Sequence, residues 1–208
     1  MALSPLVDPD SLFSISAPTE KGAIEKIELE ISRSLPPLLR DFFGRGSSLV
    51  EVSWKAKESV SRELPAELVD GAWGELKLAL EEVPALIDEW QEWNDFFEDA
   101  TFFPGGIQPI FGFEDMFPLR FLTSGDALVM VAKGAQAGEL YYLDHEGGEF
   151  NWAKLGNSIP NFLETWAGLG CIGPSEYLSY FYDFSQHRFV DGGEVAKSWL
   201  ARLKANPT

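Results

Sequence analysis

Apolar positions change period along this chain, from helical spacing to alternation and back, and the changes mark its elements. From Pro18 and Glu20, acid in a first turn precedes Ile24, Ile27 and Ile31 on one stripe, which predicts a helix. Leu35-Pro36-Pro37 stops that helix and starts another. Leu38, Leu39, Phe42 and Phe43 are its sticky face, and Gly44-Arg45-Gly46 ends it. Leu49-Val50-Glu51-Val52 reads as a short strand. Residues 55–72 are mixed and charged, with no assignable period. Residues 74–80 alternate, as a strand or the approach to a helix does.

The stretch from Gly125 to Trp166 organises the rest. Ala127 to Ala132 is apolar at both alternate sets of positions, which predicts a central strand covered on both faces. A Gly134–Gly138 loop joins it to Glu139-Leu140-Tyr141-Tyr142-Leu143-Asp144-His145, so the pair reads as a β-hairpin. After the Gly147-Gly148 turn, Glu149-Phe150-Asn151-Trp152 alternates like a half-buried third strand. Ser158 then caps a helix with Pro160 in its first turn and Phe162, Leu163, Trp166 and Leu169 on one face.

The most patterned helix has Pro84 in its first turn. It sets Leu86, Trp90, Trp93 and Phe97 on one face, and Asp88, Glu92, Asp95 and Asp99 on the other. Residues 78–119 hold ten acids and no Lys, Arg or His, so these carboxylates lack a counter-ion in sequence. Two readings fit: a solvated exterior over an aromatic interior, or a docking face for a cationic partner. Residues 102–124 predict irregular structure with one short strand around Ile107–Phe113. Pro174-Ser175-Glu176 starts a short helix, and a last helix from about Gly193 aligns Val195, Trp199 and Leu203.

The 208 residues are expected to form one domain, with a core over about 20–170 and a helical addition at 171–208. No apolar run is long enough to cross a bilayer, and the N-terminus lacks a secretion-signal pattern. A single cysteine, Cys171, allows no internal disulfide, so a reducing cytoplasm is the expected home. Net charge is −17, from 16 basic and 33 acidic side chains. That balance disfavours nucleic acid and anionic membranes as partners, and favours either simple solubility or a basic protein partner.

Catalytic motifs are scarce. The chain has no phosphate loop, no Gly-x-Gly-x-x-Gly fingerprint, no His-Glu-x-x-His and no Gly-x-Ser-x-Gly elbow. Asp144-His145-Glu146 at a strand end sends neighbouring side chains to opposite faces, so His145 reads as a solvated turn histidine and no metal site is expected. Cys171 reads as a buried free thiol. No cofactor and no catalytic residue is assigned.

Three segments in order resemble the SUKH superfamily, bacterial immunity proteins related to the Smi/Knr-type fungal cell-wall assembly regulator. The first is Ile24 to Phe43, with Glu28, Leu35-Pro36 and an aromatic-ended helix. The second is Gly125-Asp126 leading into a strand. The third runs from Gly138-Glu139-Leu140-Tyr141-Tyr142 through Asp144-His145-Glu146 to Ser158, Phe162 and Leu163. Gly44-Arg45-Gly46 stands where the family has Asn-Gly.

The resemblance implies an α+β fold, a mixed and largely antiparallel sheet with helices packed against it. It also implies a non-enzymatic protein-binding role: an immunity protein that neutralises a basic, nuclease-type toxin by direct binding. The alternatives are a cytosolic regulatory or scaffold protein of the same fold, and a small carboxylate-dependent hydrolase or ligand-binding protein. The expected partner-binding residues are Asp88, Glu92, Asp95, Asp99, Asp144, His145 and Glu146.

Overall fold

The hairpin read from residues 127–143 is the centre of a four-stranded antiparallel sheet, in the order β4–β5–β6–β7. In the computed structural model, which describes residues 7, 10–62, 64–68, 73–98, 111–146, 150–174, 176–189 and 193–205, these strands are β4 (Met116–Phe121), β5 (Ala127–Val131), β6 (Leu140–Leu143) and β7 (Ala153–Gly156). All five residues of β5 are buried, as an inner strand apolar on both faces requires. A bulge between Pro118 and Arg120 shifts the register of β4 against β5.

Among the described residues the other strands and α-helices are β1 (Leu12–Ile15), α1 (Ala23–Glu30), α2 (Pro37–Asp41), β2 (Leu49–Lys55), α3 (Glu58–Ser61), β3 (Trp73–Ala79), α4 (Val83–Glu98), α5 (Ile159–Gly168), β8 (Tyr182–Asp183), β9 (Arg188–Phe189) and α6 (Glu194–Ala205). The class is α+β. The strands lie in three sheets: the four-stranded one, β1–β2–β3, and the β8–β9 pair. No helix of the described residues is long and apolar enough to cross a membrane.

The chain divides into two compact units, Met1–Ser14 with Glu51–Leu76 and Leu163–Thr208, and Ile15–Val50 with Lys77–Phe162. In the first, the irregular 169–173 segment has its carbonyls satisfied by tryptophans. The Trp54 indole N–H donates to Cys171 O at 2.9 Å, Trp166 to Ile172 O at 2.7 Å and Trp199 to Leu169 O at 2.7 Å. Trp54 and Trp199 also stack at 5.8 Å, so each ring fills the core while its one polar atom has a partner. Trp199, with Leu203, is the buried stripe of α6, and Val195 of the expected stripe is half-buried beside the buried Ala196.

In the second unit α4 packs Leu86, Trp90 and Trp93 against Met116, Phe121, Ala127, Val129, Val131, Tyr141 and Leu143 on one face of the four-stranded sheet. The α1–α2 junction is tied by Glu28, whose Oε1 accepts the Leu35 N–H at 3.0 Å while Oε2 meets the Arg40 guanidinium. α1 ends with Ser32 at φ 52; the Arg33 N–H donates to Glu28 O at 3.1 Å and the Ser32 N–H to Leu29 O at 3.3 Å. That is a left-handed helix stop with a serine where glycine is usual.

Several expectations shift. Residues 150–152 form a turn and not a strand: Trp152 sits at φ 63, Ala153 N–H donates to Phe150 O at 3.0 Å, and β7 begins only at Ala153. Residues 107–110 of the strand expected around Ile107–Phe113 lie outside the described residues; Phe113–Asp115 is a 3-10 turn, and a strand follows at Met116–Phe121. β2 extends to Lys55, three residues beyond the expected strand, and the alternating 74–80 stretch lies in β3 except for Leu80, which opens a 3-10 turn. Ser158 caps α5 as expected, accepting the Asn161 N–H on its Oγ at 3.2 Å.

Candidate partner-binding surface

The apolar stripe of α4 fixes which residues it turns outward. With Leu86, Ile87, Trp90 and Trp93 buried, Asp88, Glu89, Gln91 and Glu92 are exposed. Asp95 continues the same helix, and Asp99 lies outside the described residues. The aromatic interior behind this row is close-packed, with Trp90 stacked on Phe113 at 4.5 Å and on Trp93 at 6.1 Å. The row is therefore displayed on a helix held by large rings.

Cations from outside the 78–119 stretch reach some of its acids, contrary to the local count. Lys77 pairs with Glu82 at 2.6 Å, Arg120 with Glu82 at 3.3 Å, and Lys133 with Asp115 at 3.0 Å. Arg40 and Lys154 are held elsewhere, by Glu25 and Glu28 and by Glu139. Among the described residues, Asp88 and Glu92 have no ion-pair partner. Partial burial, and then the neighbouring Glu92 carboxylate, push the Glu89 carboxyl up, with Arg120 opposing.

The turn after β6 places Asp144, His145 and Glu146 together. Asp144 Oδ1 accepts the Glu146 N–H at 2.8 Å, and the Asp144 N–H donates to Asn151 Oδ1 at 3.1 Å. His145 is not simply solvated. Its Nδ1 lies 2.8 Å from Asp126 Oδ1, which also accepts its backbone N–H at 3.1 Å. Asp126 is 3% exposed, and its other oxygen accepts from the Ser124 and Tyr142 hydroxyls. Burial pushes this carboxyl up, and the hydrogen bonds from Ser124, Tyr142 and His145 outweigh it, so the group is held below the usual range.

Asp126, Asp144 and His145 have one ligand-type atom each within 4.8 Å of one another. Both Asp126 oxygens are already occupied by two donors apiece, and Asp144 closes its own turn, so the cluster acts as a latch between two turns. What it can offer chemically is the outward His145 Nε2, 3.9 Å from Glu146 Oε1.

The two groups of expected binding residues are not one patch. Ala127 faces α4, so strand alternation turns Asp126 to the opposite sheet face, where Tyr142 and the His145 ring meet it. Asp88 and Glu92 look outward from the helix covering the first face. Asp126 itself was legible only as the start of a strand. The available signal was an aspartate beside an all-buried strand, which needs several donors. The chain matches no protein-family model, and no curated protein matches it in sequence.

Proposed function

We infer that this chain is a non-enzymatic protein-binding module, most concretely a cytoplasmic immunity protein that covers a basic, nuclease-type toxin. One observation carries the reading. Asp88 and Glu92 stand exposed on a rigid, tryptophan-backed helix with no ion-pair partner among the described residues, while cations nearby are engaged by other acids. Such a row attracts a cationic surface, speeding encounter and fixing orientation. The resemblance of the α1–α2 opening and the central hairpin to the SUKH pattern supports the toxin as the class of partner.

The test pairs this chain with a basic, nuclease-type toxin domain, taken from any toxin gene found adjacent to its own. Co-expression should restore growth, and the purified pair should associate more slowly as salt rises from 50 to about 500 mM, since screening shortens from more than 10 Å to a few Å. Replacing Asp88, Glu92, Asp95 and Asp99 by their amides should slow association several-fold and leave the melting temperature within a few degrees. Absence of rescue, or an association rate indifferent to salt and to these changes, would overturn the reading.

A further inference from the structure

The cleft where the 31–37 segment, α4 and the chain before β4 converge has a volume of about 690 Å³. Its walls include Leu35, Ile87 and Phe113, and its charged groups are Arg33, Lys133 and Glu114. An apolar chamber with a few convergent polar groups is the usual form of a small-molecule site. Lys133 is held by Asp115 at 3.0 Å. Arg33 is different.

The Arg33 guanidinium lies over the Phe117 ring, 5.0 Å from its centroid. Among the described residues it has no carboxylate partner, in a chain carrying −17. The residue is exposed overall, and the partial desolvation of its guanidinium draws it below the usual arginine value with no acid offsetting the change. Its position is built: the left-handed stop at Ser32 turns the chain, and Glu28 clamps Leu35 N–H two residues further on. With its central carbon over the ring, the guanidinium has no hydrogen-bond partner among the described residues, and its N–H edges can take a planar anion.

We propose that this cleft binds a small organic carboxylate with an apolar body, its carboxylate on Arg33 and its body against Leu35, Ile87 and Phe113. A phosphate or a nucleotide does not suit the apolar walls, and an apolar ligand without an anion would leave the exposed Arg33 N–H groups to water. The site stands independently of the α4 acidic row: Gln91, also on the cleft wall, marks where that helix turns toward the chamber.

Octanoate and 1-octanol are the probes, titrated calorimetrically into the full-length protein, with amide shifts of Gln91 and Ala132 followed by NMR. Octanoate should saturate one site and bind at least about fivefold tighter than octanol, because charge-assisted bonds are the stronger kind. Arg33→Gln should weaken octanoate by roughly tenfold or more and leave octanol unchanged. Gln91→Glu, an exposed helical change that leaves Arg33 in place, should weaken octanoate several-fold and spare octanol, which keeps the test decisive if Arg33→Gln misfolds. Equal affinity for octanoate and octanol, no saturation up to about 10 mM, or octanoate binding untouched by Gln91→Glu would overturn the proposal.

Discussion

Asp126 holds His145 twice through one oxygen, with Nδ1 at 2.8 Å and the backbone N–H at 3.1 Å. Its other oxygen takes the Ser124 and Tyr142 hydroxyls, so a single buried carboxylate fastens the β4–β5 turn, strand β6 and the turn after it. Asp126→Ala should destabilise by about 2–4 kcal/mol, since it leaves the buried Tyr142 hydroxyl without its acceptor. The pH dependence has a definite sign. A carboxyl held low in the folded state adds stability above its unfolded value of about 3.9, and loses it as pH falls through the folded value. Urea midpoints of the parent should therefore fall from about pH 5 downward, and the Asp126→Asn curve should be flatter there. Parallel acid limbs for the two proteins would mean that the latch does not form.

Glu28 joins α1 to α2 by accepting the Leu35 N–H at 3.0 Å while its second oxygen binds Arg40. The Arg40 hydrogen bond is the main reason its carboxyl sits low. In Glu28→Gln one oxygen becomes an amide nitrogen, and the charge that holds Arg40 is gone. The Leu35 amide should then exchange with deuterium at least tenfold faster, as the loss of a charge-assisted bond implies. Unchanged Leu35 protection would show that the Leu-Pro turn holds itself.

A Cβ at Gly74 would lie 1.9 Å from Cys171 O and 2.2 Å from Trp54 Nε1, the two atoms that bond each other at 2.9 Å. Backbone and an indole packed on Trp199 cannot withdraw cheaply, so Gly74→Ala should cost about 3 kcal/mol or more. Cys171 lies in the same place, and burial pushes its thiol up to about 11. In the native parent it should react slowly with Ellman's reagent at pH 8, and rapidly in urea. Gly74→Ala should move the native rate toward the unfolded one; an unaltered rate would contradict this packing.

Much of this architecture was readable where periodicity was strong. Leu86, Trp90 and Trp93 are buried as their spacing implies, the 127–143 hairpin pairs as expected, and Ser158 caps its helix. Alternation misled at Phe150–Trp152, because a polar–apolar pattern does not reveal that Trp152 adopts φ 63 to turn the chain. The expected binding residues Asp88 and Glu92 lie on the helix read for them, and Asp144, His145 and Glu146 in the turn after β6, yet the separation of the two groups was not legible. Whether Asp88 and His145 share a side depends on which sheet face each strand residue takes. The charge count held for Asp88 and Glu92 among the described residues but not for Glu82 and Asp115, since Lys77, Arg120 and Lys133 lie outside the acidic stretch in sequence and beside those two acids in space.

Glu89 shows whether the α4 row is under repulsion. Burial and Glu92 raise its carboxyl, and Arg120 pulls the other way. An acid whose folded value is raised binds more protons folded than unfolded, so its charged form detracts from stability as pH rises through that value. The side chain is exposed, so solvent screening keeps the effect small. Glu89→Gln should accordingly stabilise by a few tenths of a kcal/mol at pH 7, with the difference fading toward pH 4. Urea unfolding of both proteins at the two pH values measures it. If the substitution instead destabilises at pH 7, attraction to Arg120 outweighs repulsion along the helix, and the row is less available to a cationic partner than its exposure suggests.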